Sequence, residues 1–500
     1  MRCFANDEPA LGAEGSKIMA DELTTDCCAA SYGKHGTIDF AILGGGSAAF
    51  ASALRASDLG ASVLMVNDGT IGGTCVNVGC VPSKTLIRAA ENHYQHGVSR
   101  FRGLKSESGR LDFSELMREK DELVAGLRQA KYTDVLKGLP NVHLVEGRGK
   151  VVATHEIEVA GKTYTADKLL IATGTRPALP AVPGLSHPDV WDSTRALEAT
   201  AAPKRLIVLG GRYIALELGQ MFARLGSKVT LVQRSKQILP GEDADLASAL
   251  AEYLGQEGIQ VLAGRQVAAV VREEDAFHVE VKQSGATEIL EADAVVAALG
   301  RTPNTDGLGL IEIGVELGHT GAITVGEDLQ TNVPGIYAAG DVIGKPAYVY
   351  AAAYEGALAA ENALGSVTKT RDYTAIPWVV FTDPQVAGVG LNERAAAEAG
   401  VEVDVSVLPL DLVPRALAAR DTRGFVKLLR ARGEDRLVGA RVLAPEGGEQ
   451  IMEASLMVKF GLPISEVARH FHPYLTQGEA MKLAALGLDR DVETLSCCAS

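Results

Sequence analysis

An α/β protein carrying two βαβ units in one chain is what this 500-residue sequence predicts. Three observations carry that prediction. A strand-like run, Ile38-Asp39-Phe40-Ala41-Ile42-Leu43, leads into Gly44-Gly45-Gly46-Ser47-Ala48-Ala49, a helix-like stretch to about Leu59, and a second strand, Ser62-Val63-Leu64-Met65-Val66. The layout recurs as Arg205-Leu206-Ile207-Val208-Leu209, then Gly210-Gly211-Arg212-Tyr213-Ile214-Ala215, a helix to about Leu225 and the strand Lys228-Val229-Thr230-Leu231-Val232. Third, the first glycine and the residue closing the second strand are 23 positions apart in both copies, Gly44 to Asn67 and Gly210 to Gln233. One glycine-rich turn is weak evidence. Two units of equal internal spacing read as a pair of Rossmann-like dinucleotide-binding domains.

Each turn brings backbone close to a pyrophosphate at a helix N-terminus, where free N–H groups and the helix dipole favour anions. In the first turn Gly44 and Gly46 allow that approach, and Ala49 still permits tight helix–strand packing. In the second, Gly210 and Gly211 do so, but Arg212 stands where another glycine is expected. It either crowds the phosphate or supplies a cation to it. The residue closing the second strand faces the ribose. Gln233, followed by Arg234 and Lys236, puts no acid against a 2′-phosphate and offers two cations, so NADPH is favoured over NADH. Asn67 can hydrogen-bond a ribose, so FAD is allowed at the first unit.

The length suits about three domains, and 47 % hydrophobic residues is ordinary for a globular chain. A formal charge of −15 argues against nucleic acid or an anionic membrane as partner. No apolar run approaches the ~18 residues of a membrane span. The start carries Asp7, Glu8, Glu14 and Asp21 and no apolar core of a secretory leader. Residues 1–36 are expected to be a flexible tail, and the protein is expected in the cytoplasm.

Seven cysteines include three close pairs, Cys27-Cys28, Cys75/Cys80 and Cys497-Cys498, and none lies between Cys80 and Cys497. Cysteine is therefore not used as a core hydrophobe, which points to redox or soft-metal chemistry. Adjacent cysteines are poor staples, because a relaxed disulfide wants Cα atoms about 4.4–6.8 Å apart and neighbours sit about 3.8 Å apart. Cys497 and Cys498 thus read as two thiols for metal binding or thiol exchange. Cys75 and Cys80, five apart, would lie roughly 8–9 Å apart in an unbroken helix, too far to bridge. Gly79 and Pro82 predict a distortion there, just before a helix-like stretch ending near His93, whose N-terminus would favour thiolate.

The segment Gly72-Gly73-Thr74-Cys75-Val76-Asn77-Val78-Gly79-Cys80-Val81-Pro82-Ser83-Lys84 resembles the redox-disulfide signature of the FAD-dependent pyridine nucleotide–disulfide oxidoreductases. Ala172-Thr173-Gly174-Thr175-Arg176-Pro177, Leu299-Gly300-Arg301-Thr302-Pro303-Asn304 and Ala338-Ala339-Gly340-Asp341 agree with it. The resemblance covers residues 37–500. It implies FAD-binding and central parts over 37–180 and 303–376, an NAD(P)H-binding domain over 181–302, a C-terminal α+β dimer-interface domain over 377–486, and a tail over 487–500. It also implies FAD contacts at Gly44, Gly46, Ala49, Asn67, Gly69, Thr74, Lys84, Gly149, Thr173, Gly174, Asp341 and Val349. NADPH contacts would come from Gly210, Gly211, Glu217, Gln233, Arg234, Lys236 and Gly300.

Within the family, the terminal Cys497-Cys498 resembles the mercury(II)-reducing branch rather than the glutathione- or lipoamide-handling ones. So do Phe381-Thr382-Asp383-Pro384-Gln385-Val386-Ala387, Val413-Pro414-Arg415-Ala416-Leu417-Ala418 and Pro473-Tyr474-Leu475-Thr476. That branch implies Hg(II) as substrate and Cys75, Cys80, Cys497 and Cys498 as its ligands. Tyr132 and Tyr474 would be the metal-positioning tyrosines, in a homodimer that shares its active sites and accepts Hg(II)–thiol complexes. Two departures stand. His472 precedes Pro473, as in the disulfide-reducing relatives, yet position 477 is Gln where their partner Glu stands, and Glu479 is two residues off. The branch's N-terminal metal-binding domain is absent, and Cys27-Cys28 is the nearest feature to it. The competing readings are a dihydrolipoamide dehydrogenase-like disulfide reductase and a thiol-based metal-sequestering flavoprotein.

Overall fold

The structure, a computed structural model, describes residues 38–107 and 109–494. Both expected βαβ units are present. In the first, β1 (Ile38–Leu43) leads to helix α1 (Ser47–Asp58) and β2 (Val63–Asn67). β1 lies between β2 and strand Lys162–Ile171, parallel to both, and Val142–Glu146 extends the sheet beyond β2. β1 and β2 are buried along nearly their whole length because both faces of the sheet are covered there, so no period-two pattern is required. Helix α1 packs on helix Val349–Leu364 through small residues. Ala48, Ala49, Ala53, Ala359 and Ala360 are buried, and a Cβ on Gly356 would lie 2.0 Å from the Ala48 carbonyl oxygen. The two backbones could not approach this closely with larger side chains.

The second unit comprises strand Arg205–Leu209, helix Tyr213–Arg224 and strand Lys228–Gln233, in a four-stranded parallel sheet completed by Gln260–Ala263 and Ala294–Ala297. Two short antiparallel strands, Thr175–Pro177 and Arg301–Pro303, link the two units. The chain leaves the first sheet and returns to it through them, and Ile336–Ala338 then adds to strand Lys162–Ile171. A five-stranded sheet follows, ordered Trp378–Val380, Gln385–Gly390, Leu437–Ala444, Phe425–Ala431, Val403–Pro409, with helix Gly447–Phe460 packed on it. Among the described residues no helix is long and apolar enough to cross a membrane.

One element differs from the sequence expectation. The cysteine segment is not a lead-in to a single helix. It forms a short helix, α2 (Gly73–Val78), and then a long one, α3 (Cys80–Gly97).

Candidate active site

The break between α2 and α3 is what brings the cysteines together. Gly79 has φ −130° and ψ −112°, outside helical space, so the helix stops after Val78 and restarts at Cys80. A Cβ on Gly79 would sit 2.8 Å from the Thr74 carbonyl oxygen, so only glycine turns the chain this tightly. Cys75 lies within α2 and Cys80 is the first residue of α3. Both are half-buried free thiols here, the dithiol form of the pair. Cys75 donates its S–H to the Cys80 sulfur, and that bond is the main reason the Cys80 thiol falls to about 7, with the Lys84 charge assisting. Burial and the nearby Glu217 carboxylate oppose the fall. The same bond and burial push Cys75 far up, so the proton the pair retains sits on Cys75.

One turn further along α3, Lys84 Nζ lies 2.6 Å from Glu217 Oε2 on helix Tyr213–Arg224. Glu217 is nearly buried and also accepts the Phe381 backbone N–H at 3.0 Å. Lys84 sits 4.7 Å from the centre of the Phe381 ring. A cation and a carboxylate are thus fixed beside Cys80 by three distant chain segments.

Tyr132 comes from a further segment of the chain. It lies on a single π-helical turn, Gln129–Thr133, after helix Phe113–Arg128. Such turns re-aim a side chain within a helix. Its ring meets Phe50 edge-on at 4.6 Å. Burial chiefly, then the charge of the cysteine pair, raises its hydroxyl, while a hydrogen bond with Ser47 at the start of α1 lowers it. Cys75, Cys80, Tyr132 and the first glycine turn therefore meet at one place.

Both glycine turns are cradles that side chains would fill. Gly44 has φ +133° and a Cβ there would lie 2.2 Å from the Ala172 carbonyl oxygen; Gly210 has φ +127° and would meet the Ala298 carbonyl oxygen at 2.4 Å. No side chain caps α1 or helix Tyr213–Arg224, so their first N–H groups point into the turns. Asn67 is buried at the end of β2 and donates to the Gly69 carbonyl. Gln233 is buried against Gly211, while Arg234 and Lys236 are exposed. Among the described residues neither cation has an ion-pair partner. Asp341 opens a 3-10 turn and accepts the Thr175 hydroxyl at 3.0 Å. Thr173 and Gly174 bond to Asn304 across the interdomain link, and Val349 begins its helix. Gly149 has a packing reason of its own, since a Cβ there would strike Leu43 at 2.5 Å.

His472 does not pair with Glu479. Its Nε2 lies 2.9 Å from Glu453 Oε1 on helix Gly447–Phe460, and its Nδ1 3.2 Å from the His470 carbonyl oxygen. Both ring nitrogens are engaged, and Glu479 instead accepts the Leu475 N–H. Tyr474 is half-exposed on the same segment. Met452, Leu456 and Phe460 expose an apolar stripe on helix Gly447–Phe460, and Phe471 is almost fully exposed nearby. Cys497, Cys498, Cys27, Cys28 and Cys3 lie outside the described residues. Sequence reasoning missed Ser47, Phe381 as a backbone donor, and Glu453. Only Ser47 carried a signal, its place directly after the first turn.

Residues 38–356 match the family described as pyridine nucleotide-disulphide oxidoreductase, and residues 376–485 match its dimerisation domain. The chain belongs to the pyridine nucleotide-disulphide oxidoreductases. The mercuric reductase of Staphylococcus aureus is 43 % identical over 98 % of this chain and 89 % of its own. That of Streptomyces lividans is 44 % identical over 93 % of this chain and 99 % of its own. Among solved structures, the Cu(II) complex of the HOCl-induced flavoprotein disulfide reductase RclA of Escherichia coli has a TM-score of 0.81. It is 29 % identical over 90 % of this chain and 99 % of that one. The oxidoreductase uses FAD and NADPH. The first turn, opening α1 beside the cysteine pair, fits the flavin dinucleotide. The second, with its two unpaired cations after Gln233, fits NADPH. The dimerisation domain makes the oxidoreductase a homodimer.

Proposed function

We propose that this oxidoreductase reduces Hg(II) to Hg(0) at the expense of NADPH, releasing NADP⁺ and a proton. The observation that carries this reading is the Cys75–Cys80 dithiol, with one sulfur poised as thiolate. The likeness to mercuric reductases over nearly the whole chain supports it. Two thiolates suit a soft divalent ion. Bound FAD supplies the two-electron relay between NADPH and the cysteine pair.

The residues divide the work. Cys80, on the flavin side, and Cys75, on the substrate side, coordinate the incoming ion. Tyr132, and Tyr474 of the second subunit, orient it. Lys84 and Glu217 hold a fixed charge pair between the cysteine and nicotinamide sides. Asp341, Thr173 and Gly174 hold the flavin's sugar and phosphate portion. Cys497 and Cys498, reaching from the second subunit, take Hg(II) from external thiols and pass it inward by ligand exchange. The ion then stays thiolate-bound at every step, and no bare cation enters a poorly solvated site. This assigns 37–180 with 303–376, 181–302 and 377–486 as the three functional bodies, in a cytoplasmic enzyme whose thiols the compartment keeps reduced.

The test follows NADPH oxidation by the purified protein with Hg(II) in excess thiol while volatile mercury is trapped. Parallel assays use lipoamide and glutathione disulfide. Mercury-dependent turnover with stoichiometric Hg(0) is expected. NADPH oxidation only with the disulfides would replace this reading with that of a disulfide reductase, and metal binding without turnover would make the protein a sequestering one.

A further inference from the structure

The segment carrying Arg234 and Lys236 is held in place from outside its own sheet. The loop from 234 to 243 turns back on the second glycine turn, and the Leu239 N–H donates to the Gly211 carbonyl at 2.8 Å. Leu239 adopts φ +45°, a left-handed conformation that a leucine keeps only under constraint. Ile238 and Leu239 are buried. The residues that follow Leu239 are held by the C-terminal sheet region. Arg441 Nε donates to Glu242 at 2.5 Å, and both side chains are largely buried. Arg394 donates to the carbonyls of Pro240 at 3.1 Å and Gly241 at 2.7 Å, and the buried Asn392 side chain donates to Gly241 at 2.9 Å. Arg441 also lies over Trp378, whose ring stacks at 5.7 Å on Tyr213, the residue after Arg212. Two backbone carbonyls and one carboxylate of a single nucleotide loop thus converge on dimerisation-domain donors.

We propose that the dimerisation domain sets the nicotinamide-cofactor preference: Glu242, held by Arg441, and the Arg394 clamp are positioning residues that fix the cationic loop where a 2′-phosphate is read. The inference rests on the reading of Arg234 and Lys236 as the 2′-phosphate cations. A phosphate contact depends steeply on where the cation sits, and NADH carries no 2′-phosphate for these cations to meet. Loosening the clamp therefore penalises NADPH and leaves NADH nearly untouched.

The experiment uses FAD-loaded dimer carrying Glu242→Gln, Arg394→Ala, or both. Arg394 is half-exposed, so Arg394→Ala tests the clamp even if Glu242→Gln weakens folding. Steady-state kcat/KM is measured with NADPH and with NADH. Calorimetry compares adenosine 2′,5′-bisphosphate with 5′-AMP as probes of the loop alone. A fall of about three- to tenfold in kcat/KM for NADPH is expected. NADH should change less than about twofold, with a matching selective loss of bisphosphate affinity. Equal losses for both cofactors, or no loss, would overturn the proposal. Arg234→Ala with Lys236→Ala separates the premise: if that variant keeps its NADPH preference, the cations were misread and the proposal falls with them. If it loses the preference while the clamp variants keep theirs, only the positioning role is wrong.

Discussion

Replacing Cys75 with Ala should cost Cys80 its acidity. The Cys80 thiol sits at about 7 against an ordinary 9.0, and the largest cause is the S–H donated by Cys75. That fall corresponds to roughly 3 kcal/mol of preference for the thiolate. Without that donor, Lys84 and the local backbone N–H still favour the thiolate, but burial and Glu217 oppose them. With the largest acidifying influence gone, the Cys80 thiol moves up and its thiolate fraction at pH 7 falls well below the wild-type level. The assay is the pH dependence of iodoacetamide alkylation of Cys80 in the reduced holoenzyme, checked by thiolate ultraviolet absorbance. Wild type should show an inflection near 7, with thiolate present above it and lost below. Cys75→Ala should show it clearly higher, and Cys75→Ser, which keeps a donor, should fall between. An inflection that stays near 7 in Cys75→Ala would refute the hydrogen bond as the cause and shift the credit to Lys84 and the helix N-terminus.

Gly44→Ala should destabilise the first unit by about 2–4 kcal/mol and release flavin, because its Cβ meets the Ala172 carbonyl at 2.2 Å on a left-handed backbone. Gly69→Ala shares the positive φ but meets nothing within 4 Å, so it should cost only about 1 kcal/mol in thermal melts followed by flavin fluorescence. Arg224→Met removes a nearly buried guanidinium from Glu257 and Asp383 and leaves Arg423 alone to balance both carboxylates. A loss of about 3–5 kcal/mol in denaturant titration is expected. His472→Ala should lower mercury turnover by about three- to tenfold by loosening the segment that carries Tyr474, and His472→Gln, which can still donate to Glu453, should restore most of it. A proton-transfer role for His472 would show as failure of that rescue.

Much of the site was legible in the residues because its signals are local. The glycine turns, the cysteine pair with Gly79 between, and the run through Lys84 are each contiguous, and each obliges its own backbone to one shape. The break at Gly79 was expected, though not the helical turn preceding it, which forms because residues 73–78 complete their bonds before the break. His472 was not legible. Its meaning depends on Glu453, nineteen residues earlier on another helix, and the sequence offered only Gln477 and Glu479 as partners. Nor was the tie of Phe381 to Glu217, which spans two domains through a backbone N–H that carries no residue identity.

The sequence by itself determined the α/β class, the two dinucleotide units, the thiol chemistry and the preference for a 2′-phosphate. Periodicity, glycine and charge act over a few neighbouring residues, and the chain order displays them directly. Tertiary structure alone decided which sulfur is favoured as thiolate, what His472 bonds to, and that dimerisation-domain donors reach the nucleotide loop. These depend on distances between groups far apart in the chain, and a hydrogen bond or an ion pair exists only once packing has brought donor and acceptor within about 3 Å.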